Sequence, residues 1–215
     1  MSAPTAHSMP EPEFLGELLH TLSQPLTSLR CSLELSIEEP AEQRQQNVAA
    51  ALEQTERVIG VVKLMQEYLD CESANHTEAQ TLLADAVHRV LDKISVLAEA
   101  RQIRVYVRGT CRALIRMPEE RLLAALQYLI GSVLEMHPMG SAVRFALQDV
   151  GTESVLTVQA LPETSVEAAG VRDPVGATLQ RVRIAIARRM LEAAGASLQF
   201  ENKDGVISRL RAPIV

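Results

Sequence analysis

The sequence of 215 residues has no tryptophan, three phenylalanines, three tyrosines and three cysteines, and its charges sum to −6 with no basic excess. Each shortage excludes something. With aromatics at only 3%, the core must be built from Leu, Val, Ile, Ala and Met, which suits helices packed on helices better than a β-sandwich. Cys31, Cys71 and Cys111 are too few and too scattered for a disulfide framework or a zinc site, so plain thiols in a reducing compartment are expected. No apolar run approaches the roughly 20 residues that span a bilayer. The N-terminus also lacks the basic-then-apolar layout of a secretory signal, and the expected location is cytoplasmic, with no membrane partner. The missing basic surplus argues against a nucleic-acid partner, because such proteins carry a concentrated positive surface. What is present is 47% apolar residues, enough for a folded chain with one large domain or two modest ones. Residues 1–12, rich in proline and small side chains, read as a disordered tail.

From Leu15 the leucines recur at 19, 22, 26, 29 and 33, alternating steps of four and three. This is an a/d seam held for nearly three heptads, and it predicts helix-on-helix packing. His20 lies beside that seam. Pro25, inside it, removes a backbone donor and frees the carbonyl of Thr21, so a kink is expected just after His20. The helix should stop near Pro40, since proline disfavours helical geometry in the residue before it. A second helix is expected over 41–69, with a stripe of Val48, Leu52, Thr55, Ile59, Val62 and Leu69 widened by Val58, Met65 and Tyr68. The apolar face of such a hairpin is too broad for one partner helix. Two hairpins should therefore pair as a homodimeric four-helix bundle.

After a polar break at 71–78 the pattern changes. Helices are expected over 81–100, 119–136 and 181–194, the last ending at Gly195, and a loop over 161–178. Strands are expected over 103–107, 113–117, 143–147, 155–160, 197–201 and 207–212, with a tight turn at Asp204-Gly205. Mixed helices and antiparallel strands make the whole chain α+β: a helical hairpin over 13–73, then an α/β layer domain over 78–215.

Three local stretches resemble the transmitter of two-component sensor histidine kinases. His20-Thr21-Leu22-Ser23-Gln24-Pro25-Leu26-Thr27 resembles the phosphoacceptor box. Arg121–Val143 follows the spacing of the helix that bears the metal-binding asparagine, and ends in His137-Pro138-Met139-Gly140, like that family's Thr-Pro-x-Gly turn. Ile184–Leu198 follows the helix and strand behind the last glycine box. The resemblance covers about residues 13–214. It implies a dimerisation and histidine-phosphotransfer hairpin followed by an ATP-binding domain of the Bergerat type.

The departures from that family fall at the nucleotide. Ser132 stands where the family has the Mg²⁺-binding asparagine, and Tyr128 replaces the asparagine one turn earlier. Ala160-Leu161-Pro162 replaces the adenine-reading Asp-x-Gly. Arg181-Val182-Arg183 replaces the Gly-x-Gly that lets backbone approach phosphate, which bulky side chains block. Together they describe a degenerate ATPase domain that takes no cofactor. Thr21 also replaces an acid that many kinases place after the histidine, and a hydroxyl cannot act as a base near neutral pH.

The resemblance therefore implies a dimeric histidine phosphotransferase like those of bacterial phosphorelays. His20 would carry a phosphoryl group between aspartates of receiver domains, supplied through an upstream kinase, with Mg²⁺ held only by the receiver. Phosphoryl transfer of this kind depends on positioning and charge stabilisation, and histidine as a residue type is mostly neutral at pH 7. Gln24, one turn on, sits where some kinases orient water for phosphatase action. Glu17, Ser23, Thr27 and Cys31 line the strip a receiver would touch. The alternative reading is a non-catalytic pseudokinase that sequesters a response regulator or a kinase. His7, His76, His88 and His137 read as surface or loop residues. Arg181, Arg183, Arg188 and Arg189 read as a solvated helix face, and Glu119 and Glu120 as partners of a helix dipole.

Overall fold

The computed structural model describes residues 12–38, 40–70, 79–161, 174–203 and 206–214. The expected tail (before Pro12) and the Asp204-Gly205 turn lie outside them. Two long helices come first, α1 (Pro12–Glu38) and α2 (Ala41–Asp70). Pro12 opens α1 at the position where a missing backbone donor costs nothing, and Pro40 follows its end. α1 runs straight through Pro25, as a helix on one continuous span.

The rest is a layered α/β arrangement: β1 (Thr81–Leu82), α3 (Leu83–Lys93), α4 (Ser95–Ala100), β2 (Arg104–Gly109), β3 (Leu114–Ile115), α5 (Glu119–Met136), β4 (Ala142–Val150), β5 (Glu153–Leu161), α6 (Pro174–Ala193), β6 (Ser197–Lys203) and β7 (Val206–Pro213). The helix expected over 81–100 is corrected in two places. Thr81 and Leu82 pair with Ile115 and Leu114 as a small antiparallel ladder. At Ile94 the helix breaks, where the Ser95 hydroxyl donates to the Asp92 carbonyl at 2.8 Å and competes with the backbone ladder. The strand expected over 113–117 shrinks to the two residues of β3. The last helix begins not at Arg181 but two turns earlier, at Pro174.

The main sheet has the order β2-β4-β5-β7-β6; β2 runs parallel to β4 and every other pair is antiparallel. The parallel pair needs a long crossover, which α5 supplies. Alternation decides the faces. Val143, Phe145 and Leu147 on β4 and Leu156 and Val158 on β5 are buried, whereas Arg144, Thr157 and Gln159 between them are only half-buried. α5 presents Leu122, Leu126, Leu129, Ile130 and Val133 at helical spacing, all fully buried. At the end of β2, Gly109 has φ +78°, and a Cβ there would strike the backbone of Leu147, so only glycine fits.

The loop before β3 is tied to the β4–β5 hairpin. The Ser154 hydroxyl donates to Asp149 Oδ1 at 2.5 Å and accepts from the Ala113 amide at 3.1 Å, while Arg112 donates to Asp149 through its amide (3.1 Å) and Nε (2.8 Å). The Ser154 hydroxyl and the Arg112 donors hold the Asp149 carboxyl below its ordinary range. Burial pushes the neighbouring Cys111 thiol up.

The chain divides into two compact units, residues 1–67 with 173–182, and 68–172 with 183–215. No helix among the described residues is long and apolar enough to cross a membrane.

Candidate functional site

His20 is exposed on α1, with Thr21 and Pro25 buried beside it and Gln24 exposed one turn on. The expected strip is assembled as a solvent-facing surface. Ser23 and Thr27 are exposed and bend their hydroxyls back along the helix, Ser23 Oγ to the Leu19 carbonyl (2.8 Å) and Thr27 Oγ1 to the Ser23 carbonyl (2.9 Å). Back-bonding of this kind is what a helix uses near a proline that has removed a backbone donor. Cys31 is exposed as a free thiol. The backbone of Glu17 is part of α1, and its side chain lies outside the described residues.

The leucine seam is not covered by this chain. Leu19 is 55% exposed, and Leu26 and Leu33 on the same stripe are also exposed, while Leu22 and Leu29 are half-buried. On α2 the expected stripe is likewise open: Leu52 is 61% exposed, with Val48, Ile59, Val62 and Leu69 exposed too. The buried residues of α2 are instead Ala51, Val61, Leu64 and Tyr68. The expected stripe is therefore a second apolar face, additional to the one the single chain buries.

The segments aligned with the nucleotide site take shapes of their own. Ser132 on α5 is 1% exposed, and its hydroxyl has no hydrogen-bond partner among the described residues. Tyr128 is half-buried one turn before it. Ala160 and Leu161 end β5, where Ala160 pairs with Val143, and Pro162 lies outside the described residues. Arg181, Val182 and Arg183 lie well inside α6. In a helix interior each amide is already bonded to the carbonyl four residues back. Only the first turn of a helix leaves amides free for an anion, and here that turn is at 174–177, away from the aligned triplet.

The reading of the four arginines as a solvated face is corrected. Arg183 Nη1 donates to both carboxylate oxygens of Glu135 at 3.0 Å, and both side chains are only about a third exposed. Arg188 stacks over Phe200, 5.7 Å from the ring centroid, and Arg189 over Tyr68 at 4.6 Å. An α6 that carries no glycines here gains three side-chain anchors in their place. Glu135 was missed in the sequence, although the signal exists: it is the only acid on α5 after the first turn, in an otherwise apolar stretch. Glu119 pairs with Arg89 rather than acting on the helix end alone.

The turn after α5 keeps its expected form. Arg101 donates to the carbonyls of Glu135 and His137 at 3.0 Å each, closing the end of the helix, and Gly140 has φ +78°. His137 Nδ1 donates to the Val133 carbonyl at 2.6 Å, which makes this histidine a helix-end donor.

The fold itself has known counterparts. The histidine kinase AdeS of Acinetobacter baumannii superposes with a TM-score of 0.65 at 16% identity, over 91% of this chain and 98% of that one. The fold is that of a histidine kinase transmitter. The histidine kinase ThkA, solved in complex with the response regulator TrrA, gives a TM-score of 0.65 at 14% identity, over 95% of this chain and 62% of that one. No family model matches the sequence, and no curated protein matches it. The transmitter arrangement, a pair of long helices followed by an ATPase-like α/β domain, is thus recognised through structure, and it makes this a protein of two-component type.

Proposed function

We propose that this chain is a dimeric histidine phosphotransferase that relays a phosphoryl group between receiver-domain aspartates through His20 and does not use ATP. The observation that carries this reading is the continuity of α6 through Arg181–Arg183, where a nucleotide-binding transmitter needs a glycine loop. Its amides are spent inside the helix, and the Arg183 guanidinium is held by Glu135 rather than offered to a phosphate. The buried Ser132 supplies no carboxamide for a metal. At the other end of the chain, His20 stands exposed on a strip of small or uncharged side chains that a folded partner can approach without stripping water from several charges.

In this reaction the imidazole nitrogen attacks the phosphorus of an aspartyl phosphate. A nitrogen–phosphorus bond forms, the bond from phosphorus to the carboxylate oxygen breaks, and the carboxylate is regenerated on the receiver. The receiver brings the Mg²⁺, so this chain has only to present and orient the nucleophile. The open leucine seam supports pairing of two hairpins into a four-helix bundle, which would bury Leu19, Leu26, Leu33 and Leu52. The partner seen with ThkA is a response regulator, which supports a receiver as the partner here. Gln24, exposed one turn from His20, is placed to orient water toward a receiver's phosphate, and a Gln24→Ala variant that leaves the decay of a phosphorylated receiver unchanged would remove that role.

Incubating the purified protein with a phosphorylated receiver domain tests the proposal. Acid-labile phosphate on His20, lost in His20→Ala, is expected. Regulation that survives His20→Ala would instead favour a sequestering pseudokinase.

A further inference from the structure

All of the net negative charge of the chain lies in the hairpin. Residues 1–67 contain ten acidic and four basic side chains, and the remaining residues are balanced. Within the balanced part the charges are sorted by face. The register of the five-stranded sheet places Tyr106 beside Arg144, Arg108 in one row with Thr157 and Arg209, and Arg211 beside Val155. These side chains share the face opposite the buried row of Phe145, Leu156 and Leu210. With Arg104 they make five arginines, against which the described residues set one carboxylate, Glu153, 3.6 Å from Arg211. From Arg108 on β2 to Arg209 on β7 the row crosses three strand spacings, about 14 Å. Arg108 is exposed, and Arg144 keeps a buried Nε with no hydrogen-bond partner among the described residues.

The same face ends at an open edge. β2 is the terminal strand of the sheet, and among the described residues nothing pairs with its outer side. Its two faces differ: Tyr106 and Arg108 point to the arginine face, and Val105 and Val107 point to the other, with Val107 36% exposed. Such an edge offers unused backbone donors and acceptors to another extended chain.

We infer that the β2 edge and the adjoining arginine face bind an extended acidic segment of a partner protein, in which carboxylates alternate with apolar residues. The carboxylates reach Arg108 and Arg144, whose planar forks match them in pairs. The alternate apolar side chains cover Val105 and Val107, and the backbone continues the sheet. Two features favour a polypeptide over nucleic acid or an anionic lipid surface. A strand edge can be extended only by another peptide backbone, and a long polyanion must also face a chain whose overall charge is −6. This surface is independent of His20 and stands whether or not that residue carries phosphate.

Fluorescence anisotropy with a short labelled peptide of alternating glutamate and valine tests it on the full chain. Saturable binding that weakens as salt is raised is expected. Arg108→Glu combined with Arg144→Glu should weaken it by roughly tenfold or more, because each reversal turns an attraction into a repulsion. Lys93→Glu, the same charge change on α3, should leave it within about twofold, as a remote exposed charge does. A peptide of equal composition with its glutamates in one block should bind more weakly, since it cannot match both faces of the strand. Absence of saturable binding overturns the inference, and so does an equal loss in Lys93→Glu. Tighter binding of an oligothymidine or of phosphatidylserine vesicles than of the alternating peptide also overturns it, in favour of those partners. Circular dichroism of each variant separates lost binding from lost folding, and the single Arg108→Glu variant, changing one exposed side chain, gives the same reading if the double variant unfolds.

Discussion

Replacing Arg183 by glycine would restore the residue type that a phosphate-cradling loop requires, yet it should cost stability rather than return nucleotide binding. Two terms can be assigned from the structure. The Arg183–Glu135 pair is two-pronged at 3.0 Å, but with both side chains about a third exposed it is screened, and is worth about 1 kcal/mol. A glycine inside α6 adds about 1 kcal/mol of helix cost. The sum, about 2 kcal/mol, corresponds to a drop in Tm of roughly 4–8 °C for a domain of this size. Arg183→Met keeps helix propensity and should lose only the first half. Thermal unfolding followed by circular dichroism, for Arg183→Met, Glu135→Gln and the double variant, isolates the pair. A coupling of about 0.5–1 kcal/mol is expected, because residues in direct contact are not additive. Strict additivity of the two single variants would refute the pairing, and an Arg183→Gly variant that bound ATP tightly would refute the argument from helix continuity.

Three further outcomes follow from the same coordinates. Ser132→Ala should leave stability unchanged or raise it by about 1 kcal/mol, since it removes a buried hydroxyl that bonds to nothing; a clear loss on chemical denaturation would mean that the hydroxyl has a partner. Asp149→Asn should destabilise the protein at neutral pH. The carboxyl is held low in the folded state, so its contribution is fully present above the ordinary carboxylate range and fades as pH falls below about 4. Denaturation midpoints of the two proteins that stay equally far apart down to pH 2 would contradict this assignment. Iodoacetamide should label the exposed Cys31 well before Cys111, which is buried and whose thiol is pushed up, with mass spectrometry reporting the order.

Much of the architecture was legible because it rests on period. The 3.5-residue leucine seam gave α1, the glutamate pair and apolar rows gave α5 with its bounds, and strict alternation gave β4 and β5. The sequence could not reveal the break at Ile94, which depends on a serine hydroxyl outcompeting a backbone bond one turn away. Nor could it show the extension of α6 to Pro174, because the residues before Arg181 have no strong period, and the anchors that hold this helix, Glu135, Phe200 and Tyr68, are remote in sequence. For the same reason the roles of Arg183, Arg188 and Arg189 were misread as solvated. His20 was legible because its exposure follows from its place beside the seam. The arginine face was hidden in an acidic composition, since a net charge averages over faces that the register then separates.

The most direct measurement is transfer of radiolabelled phosphate from a phosphorylated receiver domain to this protein, with ATP absent. The account predicts acid-labile, alkali-stable label on His20 of a dimer, absent in His20→Ala, and no labelling when ATP and Mg²⁺ replace the receiver. Labelling from ATP, or none from any receiver while the protein is folded and dimeric, would contradict it.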